Sequence, residues 1–257
     1  MIRTLILSHK RAGRVTTHRR VANCELVIPQ SQDEAYAKEH PELPRILHPD
    51  TVVGMPAKRQ WCYDKFGDQM QLDDDLIAIF RIYRRQGGWK KSVLGPSRAY
   101  ELIQQLGETA RQLGAYLFGF GSHANPMTYD ALRPFRLGGY SPSGALGLLA
   151  GSKLWFPGET TLPVEDYWIC LLNSYYHRYC FYDARFAAGF NETYVRAGGL
   201  SEFRAPGADG IEPEVAATVY LRRFFGEAIR SSTYGSSAVT KRGKNPGRRQ
   251  IHLPYTT

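Results

Sequence analysis

Three consecutive aspartates, Asp73, Asp74 and Asp75, directly follow the short apolar–polar alternation Gln69–Leu72. The alternation predicts a half-buried strand, so the carboxylates are expected at its C-terminal end, where open α/β sheets bind ligands. In an extended backbone Asp73 and Asp75 point to one side and Asp74 to the other. A pair of this kind can bind one divalent cation that prefers oxygen ligands, Mn²⁺ or Mg²⁺. The alternative is a solvated acidic run in which an aspartate caps a helix beginning at Leu76.

The elements around this run predict a single α/β domain. Buried strands are expected at 2–7, 24–29 and 45–47, each followed by a polar loop, and helices at 33–39 and 54–66. A further amphipathic helix begins at Pro96-Ser97 and is followed by a strand near residue 117. Helices are also expected from about 165 and from about 213 to 229. No internal repeat or domain linker interrupts this order.

Charge is distributed unevenly along the 257 residues, which carry a formal net charge of +9. Residues 1–24 and 230–257 each contain six Lys or Arg and no acidic residue. Phosphates of a nucleotide or of nucleic acid are natural partners of such segments, and a solvated basic tail that aids solubility is the alternative. The four cysteines show no Cys-x-x-Cys spacing, so reduced thiols are expected. No apolar run reaches membrane-spanning length, and we expect a cytoplasmic protein without an obligate protein partner.

The order of these parts resembles the GT-A glycosyltransferases. More narrowly, the chain is similar to the TET-associated glycosyltransferases, a family encoded largely by bacteriophages that transfers sugars onto 5-hydroxymethylcytosine in DNA. The resemblance covers most of the chain and is strongest from Thr4 to Leu76. It rests on four groups of residues: Lys58-Arg59-Gln60-Trp61, Leu72-Asp73-Asp74-Asp75, Ser8 with Arg11, and Pro163-Val164-Glu165-Asp166-Tyr167.

The resemblance implies a GT-A-like fold, a Rossmann-like mixed sheet flanked by helices in one domain over 1–257. Residues 1–115 would form the nucleotide-sugar and metal half, 116–229 the acceptor half and 230–257 a basic tail. The implied substrates are a UDP-sugar, with Mn²⁺ or Mg²⁺ as cofactor, and DNA that contains 5-hydroxymethylcytosine.

The resemblance also implies roles for individual residues. Donor contacts are expected from Ser8, Arg11, Lys58, Arg59, Asp73 and Asp74. The metal ligands would be Asp73, Asp75 and a late histidine, His252. Asp166 would act as the base, with Glu165 in reserve; if configuration is retained, a donor phosphate oxygen takes that role instead. Five cations of the tail are expected to bind the donor diphosphate or DNA phosphates: Lys241, Arg242, Lys244, Arg248 and Arg249.

Three other functions fit the same residues. A GT-A enzyme could act on a protein or small-molecule hydroxyl. A metal-dependent nucleotidyltransferase would also use clustered aspartates, but it needs a further acidic ligand that the sequence does not identify on a neighbouring strand. A non-catalytic DNA-binding protein would use the basic ends alone.

Overall fold

A computed structural model describes residues 1–85, 88–121, 124–140, 144–190, 211–231 and 249–251. The strands are β1 (Arg3–Leu7), β2 (Cys24–Pro29), β3 (Arg45–His48), β4 (Gln69–Asp73), β5 (Leu76–Arg85), β6 (Gly88–Val93), β7 (Leu117–Gly121), β8 (Phe135–Arg136), β9 (Ala145–Leu148), β10 (Phe181–Phe190), β11 (Ile229–Ser231) and β12 (Arg249–Ile251). The helices are α1 (Asp33–Glu39), α2 (Met55–Phe66), α3 (Pro96–Leu113), α4 (Glu165–Tyr176) and α5 (Ile211–Phe225).

Ten of these strands form one large mixed sheet. Its order is β3-β2-β1-β4-β9-β7-β10-β5-β6, with β8 paired to β10. The first four strands are parallel, whereas β9 runs antiparallel between β4 and β7. The sequence order reverses between β1 and β4, so a crevice is expected at the carboxyl ends of these two strands. The architecture is compatible with a Rossmann-like fold.

Apolar side chains cover both faces of the parallel strands. On one face, α3 packs Ile103 and Leu106 into a core that includes Ile6 of β1. On the other face, Leu5 of β1 packs against Cys62 of α2. Because successive side chains of a strand point to opposite faces, neighbouring residues of β1 enter two different cores. Helices α2 and α3 therefore enclose this half of the sheet between them.

A third core lies on the side of α4, where the fully buried Trp168 and Ile169 pack with Leu117 and Leu148 of the sheet. Leu221 of α5 belongs to the same cluster. This packing fixes α4, and with it the Glu165–Asp166 pair in its first turn, against the sheet.

The predicted α/β class and the main elements of the first half are confirmed. One alternative is wrong: Leu76 begins strand β5 rather than a helix, so the aspartates do not cap a helix. The half-buried prediction for β4 is also wrong, since Gln69 and Gln71 are completely buried beneath α2. Residues Phe181–Phe190 form one continuous strand, β10.

All four cysteines are buried and free. Within the described residues, no helix combines the length and the apolar character that a membrane crossing requires.

Candidate active site

The acidic turn, Asp73–Asp75, connects the end of β4 to the start of β5 at the edge where the parallel strands end. Thr17, which is completely buried in the β1–β2 connection, holds both ends of the turn. Its hydroxyl donates to the Asp73 carbonyl at 2.6 Å and accepts from the Leu76 backbone N–H at 3.0 Å. These two hydrogen bonds fix the backbone of the turn. They hold it in place against the repulsion between adjacent carboxylates.

Asp74 points into the protein and not toward the open edge. Its side chain is only 4% exposed, and it accepts from the Ser8 hydroxyl at 2.5 Å and from the Arg11 guanidinium at 3.1 Å. Tyr36 completes this group, because its hydroxyl lies 2.7 Å from Ser8 Oγ and accepts from the Arg11 backbone N–H at 3.0 Å. Ser8, Arg11 and Asp74, predicted as donor contacts, are thus brought together, but Asp74 makes internal bonds where a contact with the ribose or sugar was expected.

Lys58 and Arg59 lie under the acidic turn, and both are buried. Lys58 is buried, and its Nζ donates to the Ser8 carbonyl at 2.6 Å. Arg59 is completely buried and donates to Gln71 Oε1 at 2.9 Å and to Asp73 Oδ1 at 3.1 Å. Both cations therefore support the turn from below, whereas the resemblance implied direct contacts with the diphosphate or sugar of the donor.

Asp73 and Asp75 are the partly open members of the turn, with side chains 34% and 22% exposed. Burial raises the pKa of Asp75 to about 6, and the charges of Asp73 and Asp74 add to the effect. Arg11 lies at 4.0 Å and opposes the rise only in part. The charged form of Asp75 is thus disfavoured first by burial and then by its two neighbouring carboxylates.

A divalent cation fits this donor set. Asp73 and Asp75 supply hard oxygen ligands, the type that Mg²⁺ and Mn²⁺ prefer. A cation would favour the charged form of Asp75, which burial and the charges of Asp73 and Asp74 disfavour. When bound, such an ion stabilises negative charge that develops on a phosphate leaving group.

The Glu165–Asp166 pair lies in the first turn of α4, and its two members have different surroundings. Glu165 is 3% exposed, and among the described residues its Oε2 has no hydrogen-bond partner. The pKa of Glu165 is raised, first by burial and then by the charge of Asp166. The charge of Arg59 lowers this pKa, and the charge of Asp73 raises it further. The protonation of Glu165 therefore depends on the charge of Asp73 in the acidic turn, although Glu165 lies in the second half of the chain.

Asp166 is less buried and is oriented by hydrogen bonds. The Tyr140 hydroxyl donates to its Oδ2, and the Tyr167 backbone N–H donates to its Oδ1 at 2.8 Å. The Tyr140 and Tyr167 rings also contact each other, with centroids 4.8 Å apart. A carboxylate fixed in this way can take a proton from a hydroxyl group that reaches it.

Several predicted residues lie outside the described part of the chain: His252, Lys241, Arg242, Lys244 and Arg248. Arg249 belongs to β12, whose backbone pairs with β11 at Ser231.

No family model matches this chain, and comparison with curated proteins gives no significant match.

Sequence reasoning missed the residues that support the site. Thr17 and Tyr36 bond to partners far along the chain, and Gln71 contacts Arg59 across two elements. No local spacing relates these residues to the acidic run, because the contacts exist only once the sheet has formed. The one available signal was polar residues within an otherwise buried strand, Gln69 and Gln71, which call for hydrogen-bond partners.

Proposed function

We propose that this chain is a metal-dependent glycosyltransferase that moves a sugar from a UDP-sugar to the hydroxymethyl group of 5-hydroxymethylcytosine in DNA. The observation that carries the proposal is the position of the two partly open carboxylates, Asp73 and Asp75. They lie at the carboxyl end of β4, beside the reversal of strand order next to β1, with the Ser8 and Arg11 group as their neighbour. Ligands of open α/β sheets bind at this place, and a nucleoside diphosphate needs a cation there.

The proposed step is a displacement at the anomeric carbon of the donor. The hydroxymethyl oxygen forms a bond to that carbon, and the bond from the carbon to the diphosphate oxygen breaks, so UDP leaves with the electron pair. The proton of the hydroxyl group passes to the Asp166 carboxylate in the inverting form of the reaction. If configuration is retained, a phosphate oxygen of the leaving group accepts the proton and Asp166 orients a hydroxyl.

The residues around the turn divide the remaining tasks. Asp73 and Asp75 would hold the cation, and Arg11 stands at the rim with a side chain 21% exposed, within reach of a diphosphate. Lys58 and Arg59 would act indirectly, by fixing the Ser8 carbonyl and the Asp73 carboxylate. This preorganisation avoids rearranging charged groups during the reaction.

We favour a DNA acceptor because of the net charge of the chain. A net charge of +9 attracts a polyanion, whereas a small neutral acceptor needs no such field. A base within a duplex must also leave the stack before its substituent can reach a pocket. Tyr129, Phe135, Tyr140 and Trp155 are our candidates for stacking on it, and of these Phe135 and Trp155 are large exposed aromatics.

The test incubates the full chain with Mn²⁺, a panel of UDP-sugars and DNA that contains either cytosine or 5-hydroxymethylcytosine, followed by mass measurement of the nucleosides. We expect one added hexose on the modified base only, and loss of the product with Asp75→Ala. Asp64→Ala is the matched control, because Asp64 is an exposed carboxylate that bonds to Gln60 within α2.

Other outcomes would overturn the proposal. Sugar transfer to a peptide or small hydroxyl compound but not to DNA would indicate the other acceptor class. Pyrophosphate release from nucleoside triphosphates would indicate a nucleotidyltransferase. DNA binding that persists without any turnover or Mn²⁺ dependence would indicate a non-catalytic DNA-binding protein.

A further inference from the structure

Two histidines and a glutamate that do not belong to the acidic turn meet on the β1–β2 side of the molecule. His18 lies in a short 3₁₀ turn, Thr17–Arg19, and His40 directly follows α1. Glu42 follows two residues later, in the connection to β3. One potential ligand atom from each of the three side chains lies within 4.8 Å of the other two.

The protonation of His40 is suited to metal binding. Its Nε2 lies 2.7 Å from the Ala12 carbonyl oxygen, which can only accept a hydrogen bond. Nε2 therefore carries the proton, and Nδ1 retains a lone pair. Metal-binding histidines commonly donate their second ring N–H to a backbone carbonyl in this way, which fixes both tautomer and ring orientation.

His18 contributes an unsatisfied nitrogen. Its Nδ1 is buried, and among the described residues it has no hydrogen-bond partner. The His18 and His40 rings cross edge to face with centroids 4.9 Å apart. A buried polar atom without a partner costs free energy, so a ligand at this position would relieve that cost.

Glu42 is exposed, and its flexible side chain can close the remaining distance. A tetrahedral ion needs ligand distances of roughly 2.0–2.2 Å, so the three ligand atoms, which lie within 4.8 Å of one another, would move closer together when the ion binds.

We propose that His18, His40 and Glu42 form a binding site for Zn²⁺ or a similar nitrogen-preferring divalent metal, with water as the fourth ligand. Two imidazoles and one carboxylate suit such ions, whereas the all-oxygen pair of Asp73 and Asp75 suits Mg²⁺ or Mn²⁺. The two sites would therefore bind different metals. This inference stands independently of the proposed transferase activity.

The site has a structural consequence. His18 directly follows Thr17, the residue that bonds to both ends of the acidic turn. His40 ends α1, the helix that carries Tyr36, which bonds to Ser8 and Arg11. A metal that joins His18 to His40 would thus link the two supports of the acidic turn and stiffen them.

The test measures Zn²⁺ binding to the full chain after removal of metals, by competition with a chromophoric chelator. We expect one tight site in the wild type. His18→Gln and His40→Gln should each lower the Zn²⁺ affinity at least about tenfold, since even the loss of an outer-shell partner costs about 10–100-fold. His177→Gln is the matched control, because His177 lies on another element and accepts from the Lys153 backbone N–H at 3.1 Å.

Two further measurements make the result decisive. Co²⁺ in place of Zn²⁺ should give the visible spectrum of a four-coordinate site in the wild type and not in the two variants. Thermal melting should show that Zn²⁺ raises the Tm of the wild type and of His177→Gln but not of His18→Gln, while all three have folded spectra without metal. Equal Zn²⁺ affinity in the wild type and both variants, or no Zn²⁺ binding in the wild type, would overturn the proposal and leave a packed histidine pair.

Discussion

Asp75 is the residue whose charge state should control cation binding. A proton and a divalent ion compete for the same carboxylate, and the pKa of Asp75 is raised to about 6 in the metal-free protein. We therefore expect Mn²⁺ affinity to be full above pH 7 and to fall as the pH drops through 6, by up to about tenfold per pH unit below it. The measurement is electron paramagnetic resonance of free Mn²⁺ between pH 5 and 8.

This titration should use Mn²⁺ alone, because a terminal phosphate also titrates near pH 6. Asp75→Asn is the control, since it removes the titrating group and retains the shape of the side chain. A pH dependence that is the same in the wild type and in Asp75→Asn would contradict the assignment.

Glu165 should destabilise the metal-free fold. Its folded-state pKa is raised above the unfolded value of about 4.3, so ionisation costs folding free energy as the pH rises. Glu165→Gln should therefore stabilise the protein at pH 8 by about 1–3 kcal/mol, which raises the Tm by about 2–4 °C for each kcal/mol. The gain should shrink toward pH 5, because the folded-state carboxyl group is protonated there and no charge has to be buried.

Thermal unfolding in chelator at the two pH values provides the measurement. Asp166→Asn is the comparison and should give no such gain, because Tyr140 and Tyr167 already donate to that carboxylate. A Glu165→Gln variant that is less stable than the wild type at pH 8 would show that the buried carboxylate is compensated.

At the residue scale, the sequence predicted the side to which Asp74 points but not the partners that it contacts. An extended backbone places Asp74 opposite Asp73 and Asp75, and the structure places it in a buried bond with Arg11. The residues next to Lys58 and Arg59 in the sequence do not indicate that these side chains are buried. Their partners, the Ser8 carbonyl, Gln71 and Asp73, lie on other elements. Burial of a cation depends on tertiary partners that no spacing encodes.

The connection between β1 and β2 positions the acidic turn, and Thr17 is its point of contact. Thr17→Val keeps the volume but loses the hydroxyl that donates to the Asp73 carbonyl and accepts from the Leu76 N–H. We expect a loss of stability of about 1–3 kcal/mol, because two buried backbone groups lose their partner. Mn²⁺ affinity should fall as well, since the turn is no longer fixed.

Urea unfolding and Mn²⁺ titration test this expectation. Thr109→Val is the matched control: Thr109 donates to the Gln105 carbonyl on the exposed side of α3, and its loss should change neither quantity appreciably. Unchanged Mn²⁺ affinity in a folded Thr17→Val would show that the turn holds its shape without the β1–β2 connection.

At the element scale, prediction succeeded where the signal is local. Helix α3 has a regular apolar stripe and ends at Gly114, which adopts the left-handed conformation typical of a C-terminal cap. Strands β5 and β9 were missed for the opposite reason. Over residues 76–81, β5 pairs with β10, more than 100 positions later, and over 80–85 it pairs with β6. Strand β9 is a four-residue segment buried between β4 and β7. Such strands are defined by partners and not by their own pattern.

Across the whole molecule, two opposite charge distributions coexist. The chain has a net charge of +9, whereas its candidate active site concentrates the carboxylates of Asp73, Asp74, Asp75 and Glu165. The positive field acts over a long range on a polyanion, and the acidic turn acts on a cation at contact distance. DNA affinity and cation affinity should therefore be separable.

Asp75→Ala tests this separation. The substitution removes a proposed cation ligand but also one negative charge from a basic protein. We therefore expect DNA affinity to be equal or slightly higher, while Mn²⁺-dependent UDP binding is lost. The DNA affinity of the wild type and of Asp75→Ala should fall steeply and in parallel as salt rises from 50 to 200 mM, because phosphate contacts release counterions. In a plot of log K against log salt, the expected slope is about −0.9 per phosphate contact. Fluorescence anisotropy with a labelled duplex measures the slope, and calorimetry measures UDP binding. A shallow salt dependence would mean that the basic charge is not the source of DNA affinity. DNA binding that disappears together with UDP binding in Asp75→Ala would mean that the acidic turn itself contacts DNA through the metal.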